Sequence, residues 1–492
     1  LKTNFYTVTL RDIRVSFKDL SGILLILSFT MLLPTLATFT YVNAASLTIR
    51  LHQILAFLIP ATVLYILYVF LRALRVEDTV KTKHIMMTIA LTWTIIALVG
   101  AIPFIWRHTL SPLDAVFESM SGWSTTGYSM ISDLETVDRD LLIYRSLSQG
   151  MGGLGVISIG MMVLMHGGNM GAGYYDMGVW KIKPGIRQAM REALKIYGMY
   201  IIAGIALLYI AGMSFFDALN LGMTAVSTGG FSTHASIGYY NSIPIELVLM
   251  TLMILGMTSF IVHFRLFRGE LGGSRSDELK YFFAIMLFSI LVISAFMWGR
   301  SIPGVDTHSI PDIVRKISFQ VVSGMSTGGF NIVDVSQWPD FAKTWMIGLM
   351  YVGGMSSSTA GGIHVIRFII LLKATHYGLK RLILPKKAVL FLKVDGKPIA
   401  DDIINVVGYS GIYMLICVAL ACGLMVLGYS GIDSISTIMG AMGNDGMRVI
   451  STHAWYGMHE AGKVIVIIGM WVGRIEIYPG LLILRNILDR LR

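Results

Sequence analysis

A short polar cue recurs four times in an otherwise apolar chain, built from residue types that can replace the water around a cation. Ser111-Pro-Leu-Asp114 leads to Ser124-Thr-Thr-Gly-Tyr128, and Ser214-Phe-Phe-Asp217 to Ser227-Thr-Gly-Gly-Phe231. The third copy runs from Ser309-Ile-Pro-Asp312 to Ser326-Thr-Gly-Gly-Phe330, the fourth from Ser430-Gly-Ile-Asp433 to Gly443-Asn-Asp-Gly-Met447. Asp and the fourth pentad residue are 13, 13, 17 and 13 residues apart, and Gly127, Gly230, Gly329 and Gly446 follow one another at 103, 99 and 117. A fixed period with one insertion is the mark of internal repetition. Ser-x-x-Asp reads as a helix start, with Ser capping an orphan N–H and Asp favouring the positive end. The pentad then supplies carbonyls, which in a row demand φ > 0 at glycine. Thr125, Thr228 and Thr327 add hydroxyls, and Asn444 departs from them. A dehydrated cation needs rings of oxygens, and four such loops around one axis would form a pore. One Ser-Thr-Gly-Gly-Phe alone would more readily be a helix-packing face; four copies, each behind the same cap, argue against that.

The elements that must hold these loops are membrane spans. Of 492 residues 55% are hydrophobic and 14% charged, against about 25% charged in soluble domains, and mean hydropathy is +0.69. Runs of about 20 apolar residues, the length that crosses hydrocarbon, predict ten spans: Leu20–Tyr41, Leu51–Leu74, Ile85–Trp106, Asp140–Met165, Ile196–Phe215, Ile245–Phe267, Tyr281–Trp298, Trp345–Leu372, Ile403–Leu427 and Ala461–Leu484. The segments carrying the cue are too short to cross, so they are predicted as re-entrant helices buried in protein or facing water. With no cleavage signal ahead of it, the first span is expected to be retained.

Charge orients this arrangement. Lys and Arg number 28 on the side of the termini and 10 on the other, with Arg474 inside the last span. The positive-inside rule then makes both termini cytoplasmic and places the four loops outside. The formal charge of +10 is spread over span ends, which argues against nucleic acid as a partner. Cys417 and Cys422 share one span and cannot bridge sensibly, no His or Cys spacing suits a metal centre, and no phosphate-binding GxxxxGK[ST] loop is present.

These motifs resemble those of the Trk/Ktr/HKT superfamily of K⁺ transporters over nearly the whole chain, and an extra N-terminal pair of spans favours the TrkH branch over KtrB. The resemblance implies an all-α polytopic membrane protein with a pseudo-fourfold pore. Two N-terminal spans (1–84) would precede four span–pore helix–span repeats (85–166, 167–267, 268–373 and 374–492). It implies a K⁺ selectivity filter with glycines Gly127, Gly230, Gly329 and Gly446. Carbonyls of Thr125, Thr126, Thr228, Gly229, Thr327, Gly328, Asn444 and Asp445 would lie just before them. Members with Ser at the first filter glycine tend to pass Na⁺, so Gly127 argues for K⁺. The fourth loop departs from the family's Asn-x-Gly-Pro-Gly: it reads Asn444-Asp-Gly-Met-Arg448, adding a carboxylate at the filter.

Two features fall below the filter. The run Gly353-Gly-Met-Ser-Ser-Ser-Thr-Ala-Gly-Gly362 interrupts the second span of the third repeat. It is a poor helix whose freed backbone groups need partners. It is similar to the family's intramembrane gating loop, in which Gly353, Gly354, Ser356, Ser357, Ser358, Thr359, Gly361 and Gly362 would obstruct the pore. Arg474, about mid-span and therefore a functional candidate, matches the family's Gly-Arg-x-Glu pattern in Gly473-Arg-Ile-Glu476, where the Arg faces that loop. Pairing with Glu476 is the alternative, but i,i+2 side chains diverge on a helix. Gly150-Met-Gly-Gly-Leu-Gly155 reads as close packing.

The expected function is passive K⁺ uptake, not enzymic, at the cell (inner) membrane. A weakly selective K⁺/Na⁺ pathway, motivated by Asp445, and a K⁺/H⁺ symporter are the alternatives. No cofactor is expected in this chain. The resemblance implies a homodimer with a TrkA-type cytoplasmic regulatory ring that carries the nucleotide. Basic stretches Lys181–Lys195 and Lys373–Lys397 are candidate contacts beside surrounding lipid.

Overall fold

In the computed structural model, residues 9–41, 47–74, 81–166, 186–269, 276–383, 393–394, 397–398, 400–477 and 479–480 are described. The described part is helical apart from a two-residue ladder pairing Lys393–Val394 with Lys397–Pro398. Large apolar side chains such as Ile210, Leu291, Leu415 and Val426 are mostly exposed, as a multi-pass membrane protein requires of its lipid face.

The N-terminal pair comprises Leu10–Leu32, Pro34–Tyr41 and Leu47–Arg72. Thr9 and Asp12 close a capping box at its start, and Asp12 is tied to His84 of the next span at 2.7 Å. The first repeat then has Thr82–Val99, the short Ile102–Trp106, a re-entrant helix Pro112–Trp123 and Arg139–His166. In the second, Ile186–Ile210 and re-entrant Phe215–Val226 precede Ile243–Met257 and Phe260–Phe267. The third has Asp277–Met297, re-entrant Ile310–Met325, Asp340–Val352 and Val365–Ile383. Ala400–Val426, re-entrant Gly431–Gly443 and Glu460–Arg474 complete the fourth. The re-entrant helices lie in the core, their inner faces filled by residues such as Phe117, Leu221, Ile317 and Ile438.

Ser111, Ser214 and Ser430 each accept the N–H of the Asp three residues on, as the cue predicts. Ser309 does not cap. Asp312 there takes the Asp306 N–H at 2.8 Å and Lys316 at 2.7 Å. The third re-entrant helix is 16 residues long, against 12, 12 and 13. Its four extra residues are about one turn, so the insertion lengthens the helix without rotating its buried face away from the axis.

Six described helices are long and apolar enough to cross a membrane by length and composition, seven if one bent pair is a span. The predicted span Ile245–Phe267 is broken after Met257 and bends by 99°. Thr258 has extended backbone there. The carbonyls freed by the break find donors: His263 Nε2 lies 2.9 Å from Leu255 O, and the Thr359 and Met355 N–H groups reach Gly256 O and Met257 O at 3.2 and 2.9 Å. Of the predicted last span, Ala461–Leu484, residues 478 and 481–484 lie outside the described residues. Its helix stops at Arg474, and Glu476 and Ile477 follow with φ of 56° and 47°. Arg474 therefore stands at the end of this helix, within the predicted span.

Candidate functional site

The four pentads close into a ring in chain order. A methyl group on Gly127 would overlap Gly229 O, and one on Gly230 would overlap Gly328 O. On Gly329 it would come within 2.6 Å of Gly446 Cα, and on Gly446 within 2.8 Å of Thr126 O. Each glycine thus abuts the backbone of the next repeat, and the fourth returns to the first. All four line one cavity, a vestibule on the side where the re-entrant helices begin.

The turn into each pentad has one geometry. Thr126, Gly229, Gly328 and Asp445 donate their N–H to the carbonyl five residues back, Ser121, Thr224, Ser323 and Gly440, at 2.8–2.9 Å. The preceding residues bond three back, and together these make a Schellman cap. Its left-handed position belongs to Gly or Asn, yet here it holds Thr125, Thr228 and Thr327, with φ of 55°, 51° and 55°. Asn444 has φ 53°. In side-chain type it departs from the threonines, but in backbone it is the copy that suits the turn. A β-branched residue held there costs roughly 1 kcal/mol or more, and strain of this kind collects at functional sites. Gly127, Gly230 and Gly329 also have positive φ, of 91°, 79° and 67°. Gly446 does not share it; close approach is what demands glycine there.

Thr228 and Thr327 face away from the vestibule, toward the loop 353–364, while the buried Thr125 hydroxyl has no hydrogen-bond partner. Thr228 Oγ1 lies 3.2 Å from Thr359 Oγ1, and Thr327 Oγ1 accepts the Gly361 N–H at 2.9 Å. A methyl on Gly361 would overlap Gly443 O of the fourth repeat. Arg474 supplies the first: its guanidinium donates to Gly152 O at 3.1 Å and to Thr359 O at 3.4 Å. The loop is thereby held by all four repeats, directly or through Arg474. Thr359 Oγ1 also lies 2.9 Å from Gly256 O and 3.1 Å from Val226 O. Glu278 accepts both the N–H and the hydroxyl of Ser356, at 2.8 and 3.2 Å. Ser358 Oγ donates to Met355 O at 2.6 Å. Ser357, Gly353 and Gly362 adopt positive φ, and Gly354 packs so closely on Ala360 that a methyl would approach its Cβ to 2.5 Å.

Arg474 and Glu476 are not paired with each other. Glu476 faces Arg367 at 3.0 Å and His364 at 3.8 Å. The glycine run of the first repeat does pack closely, since a methyl on Gly152 would overlap Trp123 O. It has a partner all the same, because Gly152 O is the Arg474 acceptor. Gly256 and Gly473 stand against Val226 O and Met442 O as Gly152 does against Trp123 O, so in three repeats a glycine of the second span lets it close on the end of the re-entrant helix.

Asp445 lies differently from a pore-mouth carboxylate. Its side chain is fully buried, folds back to accept the Met447 N–H at 2.8 Å, and does not line the vestibule. Sequence reasoning passed over the polar groups that brace the ring from behind. Gln149 donates to Gly229 O at 2.5 Å and accepts the Phe231 N–H at 3.0 Å. Glu118 accepts Arg145 Nε and the Met130 N–H, each at 2.8 Å, and Gln320 accepts the Ile332 N–H at 3.1 Å. Glu118 and Gln320 each stand nine residues before their pentad glycine and serve the N–H three residues after it. The legible signal was a large polar side chain inside an apolar re-entrant helix. Such a group is costly unless bonded.

The model of the TrkH family, described as a cation transport protein, matches residues 56–490. An uncharacterised cation transporter of Methanocaldococcus jannaschii is 34% identical over 96% of both chains. The Trk system potassium uptake protein TrkH of Halomonas elongata is 29% identical over 95% of this chain and 97% of its own. The crystal structure of the potassium transporter TrkH from Vibrio parahaemolyticus superposes with a TM-score of 0.83 at 26% identity, covering 96% of this chain and 98% of that one.

Proposed function

The chain belongs to the TrkH family of cation transport proteins, and from that premise we propose that it is a K⁺ uptake pathway. The observation that carries this reading is the ring in which Gly127, Gly230, Gly329 and Gly446 each press on the backbone of the next repeat. Carbonyls packed at that spacing can substitute for a cation's water. The re-entrant helices point their partial negative ends at the ring, which favours a cation.

In this reading the residues before each glycine form the filter. The loop Gly353–Gly362, held by Arg474, is a gate that a cytoplasmic partner releases. Flow is passive and inward, the termini are cytoplasmic, and the repeats act as the four units delimited above. A homodimer with a TrkA-type ring that binds the nucleotide is the assembly proposed on family grounds. Of the candidate contact stretches, 181–185, 384–392 and 395–396 lie outside the described residues. The weakly selective alternative rested on Asp445, and the burial of that carboxylate removes its motive.

The test is ion flux from purified protein in liposomes, with K⁺ set against Na⁺ gradients. K⁺-selective flux is the expected result. Equal K⁺ and Na⁺ permeation, or flux that runs uphill on an imposed proton gradient, would replace this reading with one of the alternatives.

A further inference from the structure

The vestibule in front of the ring has no acidic wall. Its basic lining residues are Arg145, Arg448 and His234, without an Asp or Glu among the lining. Cation pathways ordinarily gather ions with carboxylate rings. Two of the three basic groups are compensated: Arg145 by Glu118 at 2.8 Å, and His234 by Glu135 and Asp217 at 3.6 and 3.9 Å.

Arg448 is not. Its guanidinium lies 5.5 Å from the ring centroid of Tyr456, which also lines the vestibule, and one buried Nη has no hydrogen-bond partner. No ion pair joins it to an acid among the described residues. Its acidic neighbours make no ion pair with it, although one buried oxygen of Asp445 has no partner. Asp445 is turned inward onto Met447, and Asp334 accepts the Ser336 N–H at 3.0 Å and Gln337 Nε2 at 2.8 Å. Burial would raise the Asp334 carboxyl, but those hydrogen bonds, and lastly the Arg448 charge, hold it below the usual range. Asp334 therefore feels Arg448 through space but makes no ion pair with it.

We propose that Arg448 is a fixed positive charge which lowers cation occupancy of the vestibule and so sets the rate and apparent affinity of uptake. The inference rests on the transport reading above. A unit charge about 10 Å from the ion path, at an effective dielectric between about 40 and 80, depletes a monovalent cation roughly two- to fourfold. The effect fades as the Debye length falls from about 30 Å at 0.01 M salt to about 3 Å at 1 M.

The test compares parent, Arg448→Gln and Arg448→Lys in planar bilayers, measuring K⁺ current with impermeant N-methylglucamine chloride varied on the vestibule side. At low salt Arg448→Gln should carry two- to fourfold more K⁺ current, with Arg448→Lys like the parent and the ratio collapsing at high salt. Salt on the opposite face should leave the ratio alone. Block by Ba²⁺ from the vestibule side should tighten in Arg448→Gln by about the square of the K⁺ factor, because the interaction scales with valence. A ratio of one at low salt, a ratio indifferent to salt, or a Lys variant that behaves like Gln overturns the proposal. A chain without K⁺ current even in an Arg474→Ala background, where the proposed gate is released, would instead tell against the transport reading. The charge is then read from thermal stabilisation by K⁺ in detergent, where Arg448→Gln should lower the half-saturating concentration at low salt. An unchanged concentration there also overturns it.

Discussion

The hydroxyl of Thr228 in the second pentad lies 3.2 Å from the hydroxyl of Thr359 in the loop beneath. The candidate filter and the proposed gate loop are therefore one hydrogen-bonded body, and a change in either is felt by the other. Thr359 is the joint. It is fully buried and sits within 2.9–3.2 Å of Gly256 O, Val226 O and Thr228 Oγ1.

Thr359→Val keeps the shape and removes the hydroxyl. Losing one buried hydrogen bond costs about 1 kcal/mol, which is a factor of about five in the balance between closed and displaced loop. Unpartnered K⁺ flux in liposomes should rise by that order, with thermal stability nearly unchanged. Flux equal to the parent's would mean the loop is held elsewhere.

Gly127→Ser should weaken discrimination against Na⁺. With φ at 91° and Gly229 O in the way, a side chain there must displace the second pentad's carbonyl as well as its own. Both are proposed ligands, so K⁺ and Na⁺ should approach equal permeability while the fold survives. Reversal potentials under bi-ionic conditions report this, and an unchanged permeability ratio places Gly127 outside the filter.

Asp445→Asn should leave cation affinity within about twofold at low salt, since a carboxylate facing away from the vestibule concentrates few ions. The Asn carbonyl can still accept the Met447 N–H that Asp445 Oδ1 holds at 2.8 Å. Asp445→Ala cannot, and should impair selectivity through the shape of the fourth loop. Flux against K⁺ concentration at low ionic strength separates the two. A large loss of affinity in the Asn variant would put the charge back in the pathway.

What the sequence made legible was whatever repeats. Four caps, four pentads and the long glycine–serine break at Gly353–Gly362 stand out because each differs from twenty apolar residues around it. The break after Met257 did not, since Gly256, Thr258 and Ser259 amount to only a few weak residues within a strongly apolar run. Its helix yields because Thr359 and Met355 of another repeat take the freed carbonyls, a long-range cause that a local window does not contain. The helix end at Arg474 was hidden the same way: the apolar pattern continues, and the carbonyls that receive its guanidinium, Gly152 O and Thr359 O, belong to other repeats. Asp445 misled for the opposite reason. Residue type placed a charge at the filter, and only the backbone turn at Asn444 decides which way the side chain faces.

Arg474 provides the sharpest test of the gate. It is almost wholly buried, reaches two carbonyls and leaves Nε without a partner, so its hold on the proposed gate is incompletely satisfied. Removing one partner from a buried charged contact ordinarily destabilises by several kcal/mol. Here both acceptors are neutral carbonyls, and truncation frees the loop rather than stranding a second charge. Arg474→Ala should therefore raise K⁺ flux in the absence of any cytoplasmic partner, by loosening Thr359 and by removing a cation from the path. Arg474→Lys should fall between, because a single ammonium can keep the charge but not span Gly152 O and Thr359 O with a planar fork. Glu278→Gln supplies a control on the same loop without touching the axis: it weakens the hold on Ser356 and should raise flux less. Folded Arg474→Ala protein, verified by its elution and melting curve, whose unpartnered flux is equal to or below the parent's would end the gating role of this residue.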